Sequence, residues 1–160
     1  MRKLIIALAL TTMLGAAGAA ASALPHVGAR FTGPTSAKTV NGFGDKVTFV
    51  AGAKSLKSFS FGTLGCFGYG TFPVGVDPYG TSLAQLRQTI PMTSQGVFSV
   101  TSAKASWSGG DDTTKLKVTV NGQFKSSTTA TGTISIIETG ANGGTCGPAK
   151  MTFTVKLGNT

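Results

Sequence analysis

Lys150-Met151-Thr152-Phe153-Thr154-Val155-Lys156-Leu157 is the stretch that decides the fold. Met151, Phe153, Val155 and Leu157 fall on one side of an extended chain, and Lys and Thr fall on the other. A period of two with one apolar side is what an antiparallel sheet needs when one face covers a core and the other meets water. The same alternation runs through Lys46-Val47-Thr48-Phe49-Val50, Lys57-Ser58-Phe59-Ser60-Phe61 and Lys115-Leu116-Lys117-Val118-Thr119-Val120. It predicts that Phe49, Phe59, Phe61, Phe98, Phe124 and Phe153 point inward.

Turn chemistry separates these runs. Asn41-Gly42, Ala51-Gly52-Ala53, Asp77-Pro78-Tyr79-Gly80, Gln95-Gly96, Gly109-Gly110-Asp111-Asp112 and Asn142-Gly143-Gly144 supply residues that tolerate positive φ or tight turns. Asn121-Gly122 reads as a bulge inside a longer strand from Lys115 to Ser126, with the next turn near Ser127. The strands expected on this basis lie near 30–33, 46–51, 55–62, 88–93, 97–106, 114–125, 130–138 and 149–157. The fold predicted is all-β, an antiparallel β-sandwich of about eight strands, with an up-and-down β-barrel as the alternative. One short helical turn is a candidate at Thr81 to Arg87, where Ser82 would cap a turn carrying Leu83 and Leu86. It lies in the longest non-strand segment, Gly68 to Gln88, and long loops on β scaffolds carry function disproportionately.

The first 23 residues differ in kind. Met1-Arg2-Lys3 is a short positive region, Leu4 to Leu14 is nearly all apolar, and Gly15 to Ala23 is built of small residues. Ala21-Ser22-Ala23 fits the small-x-small pattern read by signal peptidase, so residues 1–23 are expected to be a cleaved signal peptide. The apolar run is short for a permanent span, which needs about 20 apolar residues. Residues 24–160 are then one secreted, extracellular β domain that meets the membrane only through the signal peptide before cleavage.

Past residue 23 the chain keeps twelve of its fourteen Lys and Arg residues and all five acids, a formal surplus of seven positive charges. Long-range Coulomb attraction makes such a surface a partner for anionic polymers. Outside the cell these are wall polymers, acidic polysaccharides or lipid head groups, and export argues against nucleic acid. Cys66 and Cys146 are the two cysteines. An even count in an oxidising compartment reads as one disulfide, closing a loop of about 80 residues and contributing up to about 4 kcal/mol.

Residue types that carry chemistry are scarce. The acids are Asp45, Asp77, Asp111, Asp112 and Glu138. Asp77 opens a turn sequence, and Asp111-Asp112 follows Gly109-Gly110 at an expected hairpin. A calcium cage wants six to eight oxygen ligands, more than these can supply. The one histidine, His26, lies near the start of the mature chain, a poor place for a positioned base. No Gly-x-Ser-x-Gly elbow is present, and Gly65-Cys66-Phe67-Gly68-Tyr69-Gly70 lacks the Lys-Ser/Thr ending of a phosphate loop. The expectation is a non-enzymatic protein that needs no metal or other cofactor. Trp107, at a strand end, and Phe67, Tyr69, Phe72 and Tyr79, in the long loop, are the candidate binding surface, because exposed aromatics stack on sugar rings or anchor protein partners.

The order of short motifs resembles an uncharacterised family of secreted β domains found in actinomycete-like bacteria. The residues that carry the resemblance are Phe31-Thr32-Gly33, Val47-Thr48-Phe49, Lys57-Ser58-Phe59-Ser60-Phe61 with Cys66, Gly96-Val97-Phe98-Ser99, Gly122-Gln123-Phe124, Ala130-Thr131-Gly132-Thr133, and Cys146 before Met151-Thr152-Phe153. The resemblance implies a single-disulfide β-sandwich with Cys66 and Cys146 paired, and it implies no catalytic residues and no ligand. The function expected is a binding module for an anionic cell-wall polymer or polysaccharide. The alternatives are an inhibitor or other module that binds an extracellular protein through residues 68–88, and a carrier of a small apolar ligand if the sheet closes into a barrel.

Overall fold

The computed structural model describes residues 24–37, 46–62, 83–107, 115–140 and 143–158. Nine strands form: β1 (Arg30–Pro34), β2 (Lys46–Ala51), β3 (Ser55–Gly62), β4 (Leu83–Leu86), β5 (Ile90–Pro91), β6 (Val97–Trp107), β7 (Lys115–Ser126), β8 (Thr129–Thr139) and β9 (Thr145–Leu157). There is no helix among the described residues, and so none long and apolar enough to cross a membrane. All pairings are antiparallel.

The sheet closes on itself. Each long strand pairs with its neighbours in sequence, and β1 then pairs with β9 through Phe31↔Leu157 and Thr32↔Lys156. The result is an eight-stranded up-and-down barrel, the alternative reading, and the two-layer sandwich expected first is overturned because β1 and β9 pair and close the sheet. Closure removes the two free edges that an open sheet of this length would expose.

β4 and β5 share one lane of this barrel, between β3 and β6. β4 pairs with the C-terminal end of β3 and β5 with its N-terminal end. Between them the Arg87 N–H donates to the Lys104 carbonyl at 3.0 Å, and beyond β5 Met92 bridges to Phe98. The helical turn expected at Thr81 to Arg87 is therefore overturned across Leu83–Leu86, which is strand. Ala84 and Leu86 are buried and Gln85 is exposed, a period of two that lets this segment bond to strands on both sides.

The wall bends at two serines. Ser58 and Ser102 have φ of 51° and 53°, the only non-glycine residues in the left-handed region among those described. Each sits where the ladder shifts register, between Thr48 and Val50 on the β2–β3 side and between Val100 and Ala103 on the β6–β7 side. The extra residue switches parity, so Leu56 and Phe59 both face inward although three positions apart, as do Val100 and Ala103. The bulge expected at Asn121-Gly122 is absent. β7 does run unbroken from Lys115 to Ser126, and its ladder to β8 passes through Asn121↔Thr133 and Gly122↔Gly132 in step.

Phenylalanine packs the described interior. Phe31, Phe49, Phe59, Phe61, Phe98, Phe124 and Phe153 are all buried, the six predicted from alternation among them. Phe49 stacks on Phe31 at 5.3 Å and on Phe59 at 5.7 Å, and also meets Phe98 and Phe124 at 6.1 Å. These are the offset and edge-on separations that aromatic rings prefer. Two inward glycines make room for the rings. Phe98 lies directly across from Gly122, Gly122 across from Gly132, and Gly132 across from Phe153. A Cβ on Gly122 would run into the Phe98 ring, and one on Gly132 into the Phe153 ring.

Candidate functional site

The aromatic surface expected from sequence falls mostly outside the described residues. Phe67, Tyr69, Phe72 and Tyr79 lie there, as does Cys66 and with it the question of its pairing. Of Trp107 the backbone is described, pairing with Ala84 at the end of β6, and of Cys146 the backbone, opposite Glu138. Asp45, Asp77, Asp111 and Asp112 also lie outside. His26 is exposed ahead of β1, with its carbonyl accepting from the Ala29 N–H at 3.1 Å. Glu138 is buried, 3% exposed, across from Leu116 on β7. Among the described residues no three His, Cys, Asp or Glu side chains come together.

The described exterior carries one sign of charge. All eleven Lys and Arg side chains among these residues are exposed, and the single acid among them, Glu138, is turned away from water. The cations are not evenly spread. Lys104 and Lys117 stand directly opposite on β6 and β7, Arg87 bonds backbone-to-backbone with Lys104, and Lys115 follows two residues from Lys117. Like charges placed directly across a sheet repel.

A groove of about 530 Å³ runs over the outside of β7, β8 and β9. It is built by register, because two rows of outward side chains line up across the strands. One row is Asn121, Thr133 and Thr152, in step through Asn121↔Thr133 and Thr133↔Thr152. The other is Thr119, Ser135 and Lys150, in step through Thr119↔Ser135 and Ser135↔Lys150. Ser36 closes one side, its N–H donating to the Thr152 carbonyl at 2.8 Å and its Oγ accepting from the Thr152 N–H at 2.9 Å. Hydroxyls and one amide supply its polar atoms, Ile134 and Met151 also line it, most of its exposed surface is apolar, and Lys150 is its one charged side chain.

Several of these groups have their acceptor atoms engaged already. Ser99 Oγ donates to Asn121 Oδ1 at 2.7 Å, and the Ser102 N–H donates to Thr119 Oγ1 at 3.4 Å. Asn121 still presents its amide N–H groups, Thr119 and Ser36 keep hydroxyl protons to give, and each of these oxygens retains a lone pair. The groove can both donate and accept.

No protein-family model, no curated protein and no solved structure matches this chain. The case for function therefore rests on the surface itself. Sequence reasoning missed the groove because its residues are ordinary for the wet face of a strand. The one available signal was Asn121, a residue depleted in strands, standing mid-strand and facing out.

Proposed function

We infer that this is an exported, non-enzymatic β-barrel module that binds an anionic wall polymer or polysaccharide on its outer surface. The observation that carries this reading is the one-signed exterior: eleven exposed cations and no exposed acid among the described residues. Such a surface raises the local concentration of a polyanion and accelerates its capture. The aromatic residues Phe67, Tyr69, Phe72, Tyr79 and Trp107 are kept as further contacts for sugar rings. Carriage of a small apolar ligand asks for a closed barrel with an empty lumen. The barrel closes, but seven phenylalanines occupy the described interior, which favours an outside site.

The test is a pull-down on isolated cell-wall material across a salt series. Binding through exposed charge weakens steeply as the Debye length falls from about 10 Å at 0.1 M to about 3 Å at 1 M salt. Retention that is the same at both ends of the series would overturn the reading.

A further inference from the structure

We propose that the groove over β7, β8 and β9 is a phosphodiester subsite, holding one phosphate of a polyol-phosphate chain against Lys150. The inference rests on the reading of the protein as an anion-binding module and names where, and for which anion, the exterior is specific.

Three observations carry it. The first is shape: a groove of about 530 Å³ lies within the range of roughly 300–1,000 Å³ typical of small-molecule sites, and Lys150 is the lysine that lines it. The second is the hydrogen-bonding capacity of the lining. Asn121, Thr119 and Ser36 are held in place by bonds from Ser99, Ser102 and Thr152, and each keeps a proton to give, as do the hydroxyls of Thr133, Ser135 and Thr152. Phosphate oxygens can accept from such groups, and the oxygens of the lining can accept from the hydroxyls of an adjoining polyol. The third is the charge. Lys150 stands beside Ser135 in register, with Thr152 two residues along the same strand, and no acid lines the groove.

The donor set favours phosphate over carboxylate. A carboxylate is planar and is matched by the fork of an arginine, and the groove has none. Lysine acts as a point charge, and a tetrahedral phosphate can be approached from several sides at once. Donors here come from four stretches of chain: Ser36 after β1, Thr119 and Asn121 on β7, Ser135 on β8 and Lys150 on β9. A phosphate beside Lys150 leaves the row Asn121–Thr133 for the hydroxyl and ester oxygens of the adjoining polyol.

The experiment is a calorimetric titration of the purified protein with polyglycerol phosphate, polygalacturonate and neutral dextran at low salt. Lys150→Ala and Asn121→Asp are compared with Lys117→Ala, which removes an equally exposed charge outside the groove. Loss of a charge-assisted hydrogen bond predicts about a tenfold weaker affinity for polyglycerol phosphate in Lys150→Ala. Asn121→Asp, which puts a repelling carboxylate in the groove, is expected to do the same, while Lys117→Ala, which removes one cation of the general surface outside the groove, weakens binding by a smaller factor. Thermal melts of all three variants separate this loss from unfolding. Equal weakening by Lys150→Ala and Lys117→Ala overturns the groove and leaves a merely cationic surface. Tighter binding of polygalacturonate overturns the phosphate assignment alone. Failure of the unaltered protein to bind either polyanion sinks the broader reading with it.

Discussion

Gly122 and Gly132 are the residues on which the core geometry turns. Both face inward in the middle of long strands, where glycine is otherwise a liability because it leaves a gap and adds unfolded-state freedom. Here the gap is the point, since the rings of Phe98 and Phe153 lie across the two glycines. Overpacking predicts that Gly122→Ala and Gly132→Ala each lower stability by about 1–3 kcal/mol, read from urea midpoints. Pairing Gly122→Ala with Phe98→Leu should cost less than the sum of the two single changes, because the smaller side chain vacates the space the new methyl needs. Additive losses would mean that the ring and the glycine do not meet. At this scale the sequence was informative. Phe49, Phe59, Phe61, Phe98, Phe124 and Phe153 could be assigned to the interior from parity, since each has a polar residue on at least one side in an alternating run. The reason for Gly122 was not visible, because the ring that needs the space lies on another strand.

Among the elements, the bulged strands β3 and β6 have the most to say. Each changes which of its residues face the core by placing a serine at positive φ. Glycine adopts that conformation without a Cβ clash, whereas a β-branched residue strains it. Ser102→Gly is therefore expected to leave stability level or raise it by up to about 1 kcal/mol, and Ser102→Val to lower it by about 1–3 kcal/mol. Thermal melts of the two variants check both signs, and a Val variant as stable as the parent would remove the bulge from the account. The helix expected near Thr81 to Arg87 shows why local signals mislead. Ser82 and the Leu83–Leu86 spacing satisfy the rules for a capped turn, but the same residues put Ala84 and Leu86 on one side of a strand. Two neighbouring strands with unpaired backbone decide between these readings, and no window of the sequence contains them. Asn121-Gly122 misled in the opposite way, carrying turn residues into the centre of a regular ladder.

For the molecule as a whole, the closed lumen sets the expectations. Seven rings pack the described interior, so the fluorescence of an apolar reporter dye should stay flat with the native protein and rise only as urea loosens the core. Saturable brightening under native conditions would reveal a cavity and revive the carrier alternative. The expected Cys66–Cys146 bridge makes a second prediction at this scale. Alkylation with and without reductant should reveal two thiols only after reduction, and Cys146→Ser should lower stability by up to about 4 kcal/mol. Barrel and sandwich could not be separated by reading, because both need the same alternation and the same short turns. What distinguishes them is whether β1 finds β9, a pairing across more than a hundred residues that leaves no trace in either strand. The groove was hidden for a related reason, since it comes into being only when four stretches of chain fall into step.

That one seam also fixes an order of events. Every other pairing in the barrel joins strands that follow one another or are one short strand apart, so a chain emerging from its N-terminus can add them nearly hairpin by hairpin. The first strand, however, has to wait for the last. Until Lys150–Leu157 arrives, the growing sheet carries two raw edges and a half-covered bank of phenylalanines, the kind of surface that recruits a second chain. Production of this protein should accordingly be most vulnerable late in its emergence. A C-terminal truncation should give aggregates and not a smaller barrel.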